Sequence, residues 1–383
     1  MVGIIQEQHP DRARLFMQWK QMGWPILVDS LNLLEVSVVP MTLLIDEYGI
    51  IREVGATLAE AATVKRTFLD RTYEPPVATQ EVPAPRPPDL QRLREKAAAG
   101  TATALASYAD ALAVWGGVQH LDEALATYDR SMRADPENGF THFRLGVAYR
   151  RRYDSDHRQP GDFQSAVQHW ERALEIDPNQ YIWRRRIQQY GPRLAKPYPF
   201  YDWVETARRE ISARGDVPVP LPVEPGGAEI ASPLRSFASA SGGEEPDPGG
   251  RIYRDEGQLV QVETAVVPEH IEPGGSTRIH LIFRPNAANE AHWNNEVGEL
   301  VVWLEPPAGW EVDRSYLTVA NPPTAVSQEA REVEFEVMSP PKPSAATLPG
   351  YALYYVCEDV HGACLYRRQD LQVALATGAS DHR

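Results

Sequence analysis

Hydrophobic and polar positions change their period twice along this chain, which divides it into three regions. In residues 1–75, Val2 to Ile5 and Trp24 to Val28 read as short buried strands, and Pro10 to Met22 carries Ala13, Phe16 and Met17 at helical spacing. Leu43 to Ile45 and Ile50 to Val54 flank the turn Asp46-Glu47-Tyr48-Gly49, which predicts a β-hairpin, and Leu58 to Leu69 predicts an amphipathic helix. Over residues 91–215 the period is helical and the pattern repeats. Ala124, Tyr128, Ser131 and Asp135-Pro136 recur at identical offsets as Ala166, Trp170, Ala173 and Asp177-Pro178. Leu145-Gly146 and Tyr149 lie between the two sets. Tyr108, Leu112 and Trp115 predict a helix before them, and Tyr181 to Tyr190 one after.

Over residues 251–378 the period becomes two. Ile279, Leu281 and Phe283 alternate with Arg278, His280 and Arg284, and Val333, Phe335 and Val337 alternate with Glu332, Glu334 and Glu336. Such alternation predicts strands with one buried and one wet face. With five further strand-like runs and Pro- and Gly-rich turns, it predicts an immunoglobulin-like sandwich. Proline clusters at 76–90 and in the Pro/Gly/Ser-rich stretch 216–250 read as linkers. The expected fold is therefore multidomain: a partial α/β segment, an all-α array and an all-β sandwich.

The first region resembles the second half of the redoxin families, TlpA-like and peroxiredoxin-like, through Val2-Gly3-Ile4, Trp24-Pro25-Ile26-Leu27-Val28-Asp29, Val38-Val39-Pro40 and Ile45-Asp46 with Gly49. The resemblance implies a cis bond at Val39-Pro40 and a partner-contacting role for both residues. The family's Cys-bearing first strand-helix unit has no counterpart here, since no cysteine precedes position 357. Without a thiolate, this segment cannot perform exchange. A start downstream of the true one, or a degenerate docking element, would account for the gap. The repeated helical pattern is similar to tetratricopeptide repeats, with about eight extra residues around 151–162 beyond the family's period of 34. That likeness implies binding of a partner peptide, with Tyr149 and Trp170 as contact residues, unless the array is only a helical spacer.

Composition narrows the function. A formal charge of -15 opposes sequence-independent nucleic-acid binding, which rests on clustered Lys and Arg. No stretch is apolar enough to predict a membrane span, and no signal peptide is legible, so a cytoplasmic place is one expectation. No Walker A loop, His-Glu-x-x-His or nucleophile elbow is present, and no cofactor or metal is expected.

The candidate chemistry is the cysteine pair. If 358–363 forms a hairpin loop, Cys357 and Cys364 oppose each other on adjacent strands, about 4.5 Å apart at Cα, where a disulfide can form with some strain. Strain would raise its reduction potential. Three readings stay open: an exchangeable disulfide, a structural staple, or free thiols that with His361 ligate a metal. His292, Asn294 and Asn295 read as a polar site or as loop hydrogen bonding.

Ala291-His292-Trp293-Asn294-Asn295-Glu296, Trp303-Leu304-Glu305-Pro306-Pro307, Tyr355-Val356-Cys357 and Cys364-Leu365-Tyr366 together resemble the N-terminal domain of the DsbD family. This implies a bacterial protein working outside the cytoplasm. Cys357 and Cys364 would be its redox centre, and a thioredoxin-like protein its partner. Six residues separate the cysteines here, against five in the best-known members.

Overall fold

The computed structural model describes residues 1–37, 39, 41–55, 65–75, 86–195, 203–223, 232–233, 237, 243–358 and 363–377. It combines helices with several sheets in more than one packed core, so the chain is a mixed α and β, multidomain protein. Among the described residues no helix is long and apolar enough to cross a membrane.

The N-terminal region forms two separate two-stranded sheets. Strands β1 (Gly3–Ile5) and β2 (Ile26–Val28) pair in parallel, joined by helix α1 (Asp11–Lys20). Strands β3 (Leu43–Ile45) and β4 (Ile51–Val54) form the antiparallel hairpin. Asp46 holds its turn by accepting from the Tyr48 and Ile50 amides at 2.9 Å, and Gly49 takes φ 78°. The helix expected from Leu58 begins outside the described residues, and only a single turn at Lys65–Leu69 is seen.

Helices α2 (Leu90–Ala97), α3 (Ala102–Trp115), α4 (Leu121–Ala134), α5 (Gly139–Tyr153), α6 (Asp162–Ile176) and α7 (Tyr181–Gln188) pack in succession on one core. Side chains at three starts satisfy free amides: Asp89, Thr101 and Asn138 accept from the residue three positions on. Gly146 is where α5 and α6 touch. A Cβ there would lie 2.5 Å from the Trp170 indole nitrogen and 2.9 Å from the Ala166 carbonyl oxygen. Beyond this core, α8 (Trp203–Ala213) covers α1 through Leu15, Val204, Ala207 and Ile211, with Trp19 and Trp203 stacked 6.0 Å apart.

Eleven strands follow: β5 (Val260–Val267), β6 (His270–Ile271), β7 (Ser276–Pro285), β8 (His292–Asn294), β9 (Leu300–Leu304), β10 (Glu311–Val312), β11 (Tyr316–Val319), β12 (Val326–Ser327), β13 (Arg331–Met338), β14 (Ala346–Cys357) and β15 (Cys364–Thr377). One sheet runs β10-β13-β7-β5. The other is built on the long strand β14, with β15 on one side and β9 and β8 on the other. Apolar residues of both sheets share one core, including Ile279, Leu281 and Phe283 from the first and Val302, Ala352 and Tyr354 from the second.

The expected wet face of the first sheet is largely covered, with Glu332 still exposed. Its polar side meets α6 and the end of α7, so Ala265 and Val267 belong to the helical core. Gln164 donates to the Val266 carbonyl and accepts its amide, closing the free edge of β5. His280 and Glu336 are buried there, where the outward positions of an isolated sheet would face water.

At this junction the His280 ring sits between a carboxylate and a carbonyl. Its Nδ1 lies 2.9 Å from Glu332 and 3.3 Å from Glu334, and its Nε2 lies 2.9 Å from the Tyr190 carbonyl oxygen. Since these oxygens only accept, both nitrogens donate, which requires the imidazolium. Burial alone would disfavour that charge, but Glu332 and Glu334 raise His280 to about 8. Reciprocally, against its own burial, Glu334 is drawn down to about 2 by His280, Arg278 and Arg193. Because the folded value of His280 exceeds the ordinary 6.5, its contribution is full below about pH 6.5 and is lost as pH rises through about 8. The difference corresponds to about 2 kcal/mol. Chemical denaturation from pH 6 to 9 is expected to show this loss, and His280→Gln to flatten it. The same slope in both proteins would contradict the assignment.

Candidate functional site

The long hairpin β14–β15 builds the site. Its register runs unbroken from Ala346 opposite Leu375 to Cys357 opposite Cys364, so the two cysteines close the ladder at the end that carries the loop. They form a disulfide with S–S 2.02 Å and Cα–Cα 3.9 Å. Cys357 is 2% exposed, whereas Cys364 lies at the surface. The Glu358 amide donates to the Ala363 carbonyl just beyond the bond, and His361 lies outside the described residues.

Alternation along β14 places Tyr351, Leu353, Tyr355 and Cys357 on one face, opposite the face that carries the core residues Ala352, Tyr354 and Val356. Tyr355 stacks on its cross-strand partner Tyr366 at 4.4 Å, next to the disulfide. Farther along, the chain before β5 lies over this face: the Asp247 amide donates to the Tyr351 hydroxyl, and Arg368 donates to the Asp247 carboxylate at 2.9 Å while lying 3.7 Å above the Tyr351 ring.

On its other side, Cys357 pairs with His292 of β8. Residues directly opposed in an antiparallel pair point to the same face, so His292, Cys357 and Cys364 form a row. The neighbouring Trp293 points inward, is fully buried, and donates to the Glu329 carbonyl. Asn295 donates to the Thr324 carbonyl and the Ser327 hydroxyl, and the Asn294 side chain accepts the Glu296 amide. Asn295 also accepts from Arg331 of β13, so the two asparagines tie β8 and the chain after it to neighbouring segments, and His292 alone of the three pairs with a cysteine.

The other expected contact residues lie elsewhere. Trp170 is wholly buried and stacked on Tyr190 at 5.7 Å, which leaves no face for a partner and corrects its assignment as a binding residue. Tyr149 is half-buried and stacked on His169 at 5.6 Å. Val39 is 42% exposed, and Pro40 and Val38 lie outside the described residues.

As a sequence the run Arg184 to Arg186 reads as a solvated helix face, yet Arg186 is buried and organises a further contact region. It is completely buried on α7 and donates to the Gln8 side chain and to the Gln6 and Ser30 carbonyls. From α5, Arg144 donates to the Leu31 carbonyl and pairs with Glu35, and the Tyr181 amide donates to the Ser37 carbonyl. Residues 6–9 and 29–37 thus occupy the face made by α5 and α7, with Leu31 inside the helical core.

Two His/Glu clusters bring possible ligand atoms within 4.8 Å of one another: His280 with Glu332 and Glu334, and Glu171 with Glu269 and His270. In the first, both imidazole nitrogens already donate to oxygen, which leaves no lone pair for a metal. In the second, Glu171 accepts the Glu269 amide and Gln168 donates to Glu269; burial, with Glu269 and Glu175 nearby, pushes Glu171 up to about 7.

No family model and no curated protein matches the chain. Similar solved structures include AvmM, described as catalysing macrocyclization in alchivemycin A biosynthesis, at 14% identity over 34% of this chain and 98% of that one, with TM-score 0.18. Another is BslA, a bacterial hydrophobin, at 16% identity over 32% of this chain and 96% of that one, with TM-score 0.16. Similarity at this level assigns neither a fold nor an activity.

Proposed function

We propose that this protein exchanges electrons with a dithiol partner through the Cys357–Cys364 disulfide. The observation that carries this reading is the asymmetry of the pair, an exposed Cys364 bonded to a buried Cys357 at the loop end of a long hairpin. A partner thiolate attacks Cys364 Sγ, forms a mixed disulfide and releases Cys357 as the thiolate. The partner's second thiol then displaces Cys364, so the partner leaves oxidised and this protein holds two thiols. In the same reading, the first region is a redoxin-like docking element, the helices are tetratricopeptide-like and the two sheets are immunoglobulin-like, related to the DsbD N-terminal domain. The partner is a thioredoxin-like protein outside the cytoplasm.

Graded dithiothreitol under native conditions, followed by alkylation and mass spectrometry, tests it. Reduction is expected while the fold stays intact, and Cys364→Ser is expected to abolish mixed-disulfide capture. A bond that yields only on unfolding would sink the proposal.

A second reading, a non-enzymatic scaffold with a structural staple, is favoured by one observation: the face of α5 and α7 is already filled by residues of the same chain. On this reading the cysteine pair matters only for stability. Closing a loop of about eight residues contributes about 2.5 kcal/mol by chain entropy. Under the scaffold reading, a double Cys→Ser variant loses that stability and keeps its partners.

A further inference from the structure

We propose that His292 is the acid–base residue for Cys357 in this exchange, an inference that rests on the reading above. Cys357 has two direct neighbours across the sheet, Cys364 on β15 and His292 on β8, and the three side chains share one face. Opposed residues in an antiparallel pair lie about 4.5 to 5.5 Å apart at Cα, within reach of an imidazole to a sulfur. The His292 Nδ1 lies 3.4 Å from the Glu290 carbonyl oxygen, which only accepts; Nδ1 therefore carries a hydrogen and Nε2 is the atom left for proton transfer.

The need for such a residue follows from burial. Attack at the exposed Cys364 breaks the S–S bond and leaves its electron pair on Cys357 Sγ, in a position 2% exposed to water. A thiolate there lacks solvent to stabilise it. The proton on protonated His292 Nε2 passes to that sulfur, giving the Cys357 thiol and a neutral imidazole. In the reverse direction, Nε2 takes the thiol proton as Cys357 attacks the mixed disulfide. Among the described residues, the charged and titratable groups on the elements that carry this row are Glu290 before β8, Tyr355 of β14 with Glu358 just beyond it, and Tyr366 of β15, on which Asp247 and Tyr316 also act. His292 is the one imidazole among them.

The test is reduction of the full-length protein by dithiothreitol from pH 5 to 9, with each rate divided by the dithiothreitol thiolate concentration. Wild type is expected to show a pH-dependent step in this normalised rate. His292→Gln, which keeps a donor for the Glu290 carbonyl, is expected to lose that step and to react about tenfold slower at pH 6. His361→Gln is expected to retain both. If His292→Gln follows the wild-type profile, or if His361→Gln loses the step, the inference fails while exchange stands. If the wild-type bond resists native reduction, exchange itself is gone and this inference with it. Should His292→Gln not fold, the wild-type profile decides. A normalised rate that falls as pH rises supports proton donation to Cys357. A normalised rate that does not change with pH overturns it.

Discussion

Arg186→Ala is expected to release residues 1–37 from the helices and to cost about 3 to 5 kcal/mol. The guanidinium is fully buried, so burial brings it down to about 10, where it still carries its charge at neutral pH. Its fixed fork supplies the Gln8 side chain and the Gln6 and Ser30 carbonyls at once, and its plane lies 5.1 Å from the Phe143 ring. Alanine leaves three acceptors without a donor, at about 1 to 3 kcal/mol each before relaxation. Lysine cannot rescue it, because a single ammonium does not reproduce the fork. Hydrogen exchange of residues 1–37 reads the result. Protection there that matches wild type would show that other contacts hold the segment.

Trp170→Ala should cost about 3 to 5 kcal/mol by urea denaturation, the usual range for emptying a buried tryptophan site. The ring is stacked on Tyr190, pressed against Gly146 and lies 5.9 Å from the Arg186 guanidinium carbon, and its indole nitrogen has no hydrogen-bond partner, so ring contacts rather than a hydrogen bond account for the loss. Trp170→Phe should recover much of it. A loss below about 1 kcal/mol would mean that the site is less tightly packed than the Gly146 approach implies.

What was legible in the sequence was local. The helix read from Tyr108, Leu112 and Trp115 follows from apolar side chains at helical spacing, and it runs Ala102–Trp115. The Asp46 to Gly49 hairpin follows from an acceptor and a glycine at the turn. The cysteines' opposition follows from a short loop between two alternating strands. His292 was only a loosely assigned polar residue, because its pairing with Cys357 joins strands that are remote in sequence.

The wet face predicted for Arg278, His280 and Glu336 fails for a related reason. Period two tells which residues share a face of a sheet, but it does not tell whether water or another layer lies beyond that face. Similarly, the repeat pattern placed Trp170 on a helix surface without saying that Gly146 and Tyr190 would enclose it. By itself the sequence determined the longer elements, the Asp46 to Gly49 turn and which side chains share a face, since these depend on steric and hydrogen-bonding preferences within a few residues. The tertiary structure alone decided which faces are covered and which distant residues meet: Arg186 with Gln6, His280 with Tyr190, His292 with Cys357. Those contacts arise where burial of apolar surface brings separate elements together, and that gain is non-directional, so no local pattern encodes its partners.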